Sequence, residues 1–230
     1  MVLSSTFLIN KKMLKKNYIK YFRSILLLII IILIFSISIL FVKYYERRKN
    51  LELATCNINT SLESFENFND DFNLRHEDGI MISREKLIDQ PSLIYFGYTY
   101  CPDICPFDLM RNSQVVDLLY QENIKIKPIF ITLDPKRDTL KTLKEYTDFH
   151  HKDMIGLTGS EKDIKKIKDI FMIYSQMPRD LSEDYIINHS TFTYFVLPEV
   201  GLTTYFTRKD KVEKITNSVK CILEKYKALK

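Results

Sequence analysis

The chain reads as an α/β domain, a layered sheet carrying helices, held by a single N-terminal transmembrane helix. Three observations predict this. Residues 24–42 (SILLLIIIILIFSISILFV) form an apolar run without a charge. Beyond it, short apolar runs alternate with helical patterns of 10 to 17 residues, the rhythm of βαβ units. The first long apolar run, Ser92 to Gly97, ends on a cysteine loop, Cys101 and Cys105, that opens a helix.

At about 1.5 Å per residue, residues 24–42 span roughly the hydrocarbon core of a bilayer. Charged residues from Lys43 to Lys49 follow the run where a cleaved signal peptide would carry small residues. The preceding flank holds Lys11, Lys12, Lys15, Lys16, Lys20 and Arg23 with no acid, and the following flank mixes Lys43, Arg47, Arg48 and Lys49 with Glu46. That bias predicts the N-terminus inside and the bulk of the chain outside. The expected organisation is a basic segment over 1–23, the membrane helix over 24–42, a polar tether over 43–64 and one domain over 65–230. The net charge of +5 comes mostly from the two flanks, so the remainder is nearly neutral and nucleic-acid binding is excluded.

Within the domain, Phe72 to Gly79 around His76 reads as a hairpin. Ser92 to Gly97, bounded by Pro91, is a buried strand. Pro106 to Glu122 is a helix with Pro106 at its first position, where a missing N–H costs nothing. Pro128 to Leu133 is a strand, and Asp138 or Thr139 caps a helix through Phe149. Met154 to Leu157 is a short strand. Ser160 to Asp163 is a capping box for a helix reaching about Met172. Thr193 to Leu197 and Leu202 to Phe206 form a hairpin, and Lys211 to Lys230 is an amphipathic helix. A cysteine motif between the first core strand and its helix is the thioredoxin-like arrangement, with the site at the carboxyl end of the sheet.

Four cysteines are too few for a disulfide scaffold. Cys56 in the tether and Cys221 in the last helix read as incidental, which leaves Cys101 and Cys105 as the working pair. Their i, i+4 spacing permits a redox disulfide or a soft-metal clamp, and a helix N-terminus favours the thiolate that both chemistries need. His150 and His151 read as solvated residues at a helix C-terminus. His189, just before the Thr193 strand, reads on its own as a hydrogen-bonded loop residue.

Taken together, FGYTYCPDICP, FITLDPKRDT, IGLTGS and YIINHSTFTYFVLPEVG resemble, in order and spacing, the SCO/SenC family of copper chaperones. The resemblance covers nearly all of the domain and includes the single membrane anchor. It departs from the family's pattern only at two turns, Ile88 to Pro91 and Pro198 to Gly201. It implies copper(I) as the bound metal, with Cys101, Cys105 and His189 as ligands. It also implies contributions from Asp134 and Arg137, which orient ligands or meet a partner, against the plainer role of a structural turn capped at Asp138. Two thiolates and an imidazole form a soft set suited to copper(I), whereas zinc would want a fourth ligand.

The resemblance further implies a non-enzymatic role: delivery of copper to the binuclear site of cytochrome c oxidase subunit II, after a copper donor and a thiol reductant have acted. The expected location is an inner membrane, with the domain in a periplasm or a mitochondrial intermembrane space. The lysine-rich N-terminus leans toward the bacterial case. The rival expectation is a membrane-anchored thiol–disulfide oxidoreductase, in which Cys101 attacks, Cys105 resolves and His189 matters little.

Overall fold

The computed structural model describes residues 26–44, 56, 70–178 and 184–228. The basic N-terminal segment and, Cys56 apart, the expected tether from residue 45 onward lie outside them. The described residues fall into two units, divided between Leu51 and Glu52.

In the first unit, helix α1 (Leu26–Tyr44) is long and apolar enough to cross a membrane by length and composition. Its two serine hydroxyls are spent inside the helix, Ser36 on the Ile32 carbonyl at 2.8 Å and Ser38 on Ile34 at 2.9 Å. No polar hydrogen of these side chains is left facing an apolar surround.

The second unit is built on one mixed sheet. Its strands are β1 (Asn73–His76), β2 (Met81–Ser83), β3 (Ser92–Gly97), β4 (Lys127–Thr132), β5 (Ile155–Thr158), β8 (Thr193–Leu197) and β9 (Gly201–Phe206), in the order β2-β1-β5-β4-β3-β8-β9. The centre, β5-β4-β3, is parallel, and the strands that flank it are antiparallel. Two short strands, β6 (Ser175–Gln176) and β7 (Asn188–His189), pair separately from that sheet.

Side chains on β3 alternate between the two faces of the sheet, as the two-residue period of a strand requires. Ile94 and Phe96 join Ile129 and Ile131 of β4 against Ile164, Ile167 and Ile170 of helix α5 (Glu161–Ile170). Leu93 faces Val115, Val116 and Leu119 of α3 (Ile104–Gln121), together with Ile215, Val219 and Ile222 of α6 (Val212–Ala228). Tyr95 and Phe130 face Leu109 of α3 and Leu143 of α4 (Leu140–His150). Helices thus cover both faces, which is why β3 is buried throughout and reads as an unbroken apolar run. The short helix α2 (Arg84–Leu87) completes the Ile94 side through Leu87.

The ends of the elements refine the sequence reading. α3 begins at Ile104, so Pro106 is its third residue, still within the first turn where no N–H is needed. Thr139 is the cap of α4, accepting from the Thr142 amide, and Asp138 is used elsewhere. Ser160 and Asp163 form the reciprocal capping box. His151 is not solvated: it is 7% exposed and lies 3.3 Å from Asp117, while His150 stacks edge-on against Tyr146.

Cys56 and Cys221 are not incidental either. They are joined as a disulfide, because α6 brings Cys221 to the apolar cluster in which Cys56 is buried. Cys101 and Cys105 are free thiols.

Candidate metal centre

The site is assembled where β3 ends. After Gly97 the chain turns, and the Cys101 amide donates to the Tyr98 carbonyl at 3.1 Å. Three residues after Cys101 α3 starts, so Cys105 falls in its first turn and its amide points back at Cys101 Sγ, 3.4 Å away. An i, i+4 pair spanning a helix start therefore converges on one point without distorting the helix.

Gly97 makes the room. A Cβ at that position would lie 2.9 Å from Cys105 Sγ, 3.0 Å from the Phe130 ring and 3.1 Å from the Tyr95 ring. The sulfur occupies the volume that any other residue would need.

His189 arrives on β7, whose register pairs it with Ser175 of β6. Its Nε2 is 3.4 Å from Cys105 Sγ. Its Nδ1 lies 2.7 Å from the Ser190 carbonyl, which can only accept, so Nδ1 carries the proton and Nε2 presents its lone pair to the sulfurs. The Tyr95 and Tyr98 rings meet the imidazole edge-on at 6.5 and 5.9 Å. The donor atoms of Cys101, Cys105 and His189 all lie within 4.8 Å of one another.

The two sulfurs differ. Cys105 is fully buried and Cys101 keeps 9% of its surface exposed. A hydrogen bond from Cys105 holds the Cys101 thiol far below its ordinary range, to about 3, against the opposing effect of burial; the Cys105 amide adds to the lowering. The same hydrogen bond, followed by burial and the adjacent negative charge, pushes Cys105 upward. Together they hold one proton, and the thiolate sits at Cys101.

Asp134 and Arg137 lie beside this loop. Asp134 is fully buried. It receives the Arg137 Nε–H at 2.6 Å and the Tyr185 hydroxyl at 2.7 Å. Arg137 also donates to the Tyr185 carbonyl at 2.9 Å and lies over the rings of Tyr185 (3.4 Å) and Tyr100 (4.8 Å). Tyr98 completes the tie by accepting from the Ile187 amide at 3.2 Å. The segment that leads into His189 is thus fastened to the end of β4 and to the cysteine loop.

Asp138 holds the cysteine loop itself. It accepts from the Thr99 amide at 3.1 Å, from the Thr99 hydroxyl at 2.6 Å and from the Thr132 hydroxyl. Burial raises its pKa and these hydrogen bonds oppose that. Behind Cys105, the Tyr95 hydroxyl donates to the buried Asp108 at 3.0 Å, with Arg111 and Arg208 nearby.

The structure therefore brings the expected Cys101, Cys105 and His189 together and sets Asp134 and Arg137 beside them. Sequence reading missed Tyr185, Gly97, Asp108 and the true partner of Asp138. The signals available were a glycine directly after an apolar strand and two acids flanking Lys136 and Arg137.

Similarity to known proteins agrees with the geometry. The SCO1/SenC family model matches residues 60–224. The SenC protein of Rhodobacter capsulatus is 37% identical over 153 residues, 66% of this chain and 69% of that protein. A SCO2-like protein of Rickettsia conorii is 44% identical over 128 residues, 55% of this chain and 62% of its own length. Among solved structures, copper-bound ScoI of Arabidopsis thaliana is 30% identical with a TM-score of 0.65, covering 68% of this chain and 98% of that one. Copper-bound yeast Sco1 is 31% identical with a TM-score of 0.63, covering 69% and 88%.

Proposed function

The chain belongs to the SCO1/SenC family, and from that premise we propose that it is a membrane-anchored copper chaperone. Copper(I) is its cargo, bound by Cys101 Sγ, Cys105 Sγ and His189 Nε2. The observation that carries this reading is the convergence of two sulfurs and an imidazole nitrogen whose lone pair faces them. Soft donors in low number suit copper(I) and leave the ion open to an incoming ligand.

Delivery follows by ligand exchange. Cys101 is the sulfur with exposed surface, so an acceptor thiolate meets the ion on its side while buried Cys105 holds it from beneath. The acceptor we propose is the binuclear copper site of cytochrome c oxidase subunit II. Asp134 and Arg137 keep the His189 segment seated through Tyr185. Helix α1 is the anchor, the polar stretch after it the tether, and residues 65–230 the exported domain, with the N-terminus inside. A copper donor and a thiol reductant act before delivery.

A second reading rests on the unequal sulfurs. A thiolate at Cys101 beside a protonated Cys105 is the arrangement of an attacking and a resolving cysteine, as in a thiol–disulfide oxidoreductase.

One experiment separates the two. The reduced full-length protein is titrated with copper(I) against a competing chelator, alongside His189→Ala. The chaperone reading expects one ion per chain and an affinity at least about tenfold weaker in the variant. Unchanged affinity rejects His189 as a ligand. Thiol-reductase turnover that survives the substitution, with no copper held by either protein, favours the oxidoreductase.

A further inference from the structure

Cys105 is followed on its own face of α3 by Asp108 and Asn112, at the i+3 and i+7 spacing of a helix. All three are buried, and Arg111 beside them keeps 11% of its side chain exposed. A carboxylate, a guanidinium and an amide are costly to place beneath a helix where leucine or valine would pack. Here they converge on one side chain. Arg111 Nη2 donates to Thr193 Oγ1 at 2.9 Å and Asn112 Nδ2 donates to the same oxygen at 3.0 Å. The Thr193 hydroxyl donates in turn to Asn112 Oδ1 at 3.2 Å. The other arm of the guanidinium, Nη1, donates to the Thr207 carbonyl at 2.8 Å and lies 3.7 Å from Asp108, which holds the Tyr95 hydroxyl.

Thr193 is fully buried, opens β8 and stands opposite Tyr95 of β3 in the sheet. It lies four residues beyond His189. Ahead of His189 the chain is fastened through Tyr185 to Asp134 and through the Ile187 amide to Tyr98. Neither of those ties reaches α3. The Thr193 tie does: it joins the strand that follows His189 to the helix that carries Cys105. Apolar packing would close the same gap but would let a helix slide along a strand. Hydrogen bonds of fixed length and direction hold one register.

We propose that Arg111 and Asn112 are positioning residues for the donor set. By clamping Thr193 they fix the spacing of Cys105 Sγ and His189 Nε2, 3.4 Å apart, before copper(I) arrives. The inference rests on the reading of Cys105 and His189 as copper ligands given under the proposed function.

The test is a double-mutant cycle on the reduced full-length protein. Thr193→Val keeps the shape of the side chain and removes its oxygen. It weakens copper(I) binding by about five- to tenfold against a competing chelator, while Thr193→Ser stays within about twofold of the wild type. In a His189→Ala background, Thr193→Val has no further effect. An equal loss in both backgrounds makes Thr193 a general prop of the fold and overturns the clamp, as does full affinity in Thr193→Val alone. Arg111→Lys breaks the fork between Thr193 and Thr207 and behaves as Thr193→Val, so a valine chain that fails to fold leaves the cycle standing. A second readout needs no metal. The His189 ring meets Tyr95 and Tyr98 edge-on at 6.5 and 5.9 Å, so the NMR shifts of its ring protons report its place. They move in Thr193→Val and return in Thr193→Ser; unmoved shifts overturn the clamp. A wild-type chain that binds no copper(I), or binds it no better than His189→Ala, strikes the chaperone reading, and the metal-free shifts still decide the clamp.

Discussion

The Cys105 sulfur lies where a side chain on Gly97 would be, 2.9 Å from the position of the missing Cβ. A strand's last residue and a helix's first turn are thereby packed more closely than two side chains would allow. The inner sulfur is seated on backbone.

Gly97→Ala is expected to lift Cys105 out of that seat. The Phe130 and Tyr95 rings also meet the new methyl, so overpacking costs about 1–3 kcal/mol. Copper(I) competition should show an affinity loss of about tenfold or more, while circular dichroism remains that of a folded α/β domain.

Asp138→Asn is expected to loosen the cysteine loop. It exchanges an acceptor of three hydrogen bonds, from the Thr99 amide, the Thr99 hydroxyl and the Thr132 hydroxyl, for a group with one acceptor oxygen. The loss should be about 1–3 kcal/mol by chemical denaturation, with faster hydrogen exchange at the Thr99 amide.

Much of this site was legible before any coordinates. β3 declared itself because helices cover both its faces, and the cysteine pair because it follows that strand directly. His189 was legible only through the family's motif. Its strand is two residues long and pairs with Ser175–Gln176, too short for any hydrophobic alternation. Asp138 sits beside Thr139, and both are good caps; only the position of Thr99 across the turn decides which of them caps α4. Cys56 and Cys221 gave no local signal, since their pairing depends on α6 closing over α3.

Tyr185→Phe is expected to separate positioning from binding. It removes the hydroxyl that donates to Asp134 and leaves the ring under Arg137. Stability should fall by about 1 kcal/mol. Copper(I) should still bind one per chain, with an affinity lowered several-fold as the His189 segment loses one of its ties.

Cys101 is an acid whose folded pKa, about 3, lies below its ordinary value. Its thiolate therefore persists as pH falls, and the stability tied to it is complete above the ordinary thiol range and lost as pH approaches 3. Iodoacetamide should label Cys101 at a rate nearly flat between about pH 5 and 8. Cys105→Ala removes the largest cause of the shift, so its labelling rate should regain a rise with pH. A rise already present in the wild type would contradict the shared-proton arrangement.

Cys221→Ser opens a loop of 165 residues. In the chain-entropy account its closure is worth up to about 5 kcal/mol. Thermal unfolding without reductant should shift down by several degrees, and added reductant should bring the wild type to the same midpoint.

The floor beneath the two sulfurs is made by Gly97 and the first turn of α3, and at Gly97 it leaves no room for a side chain. Its rim is drawn from separate stretches: Tyr100, Arg137 and Tyr185 come from three different connections. Tyr100 is widely exposed. Evolution can therefore rewrite the rim one residue at a time while the donor atoms beneath stay the same. Duplicated copies of such a chain can diverge at the rim without ever re-inventing how they place two sulfurs and an imidazole.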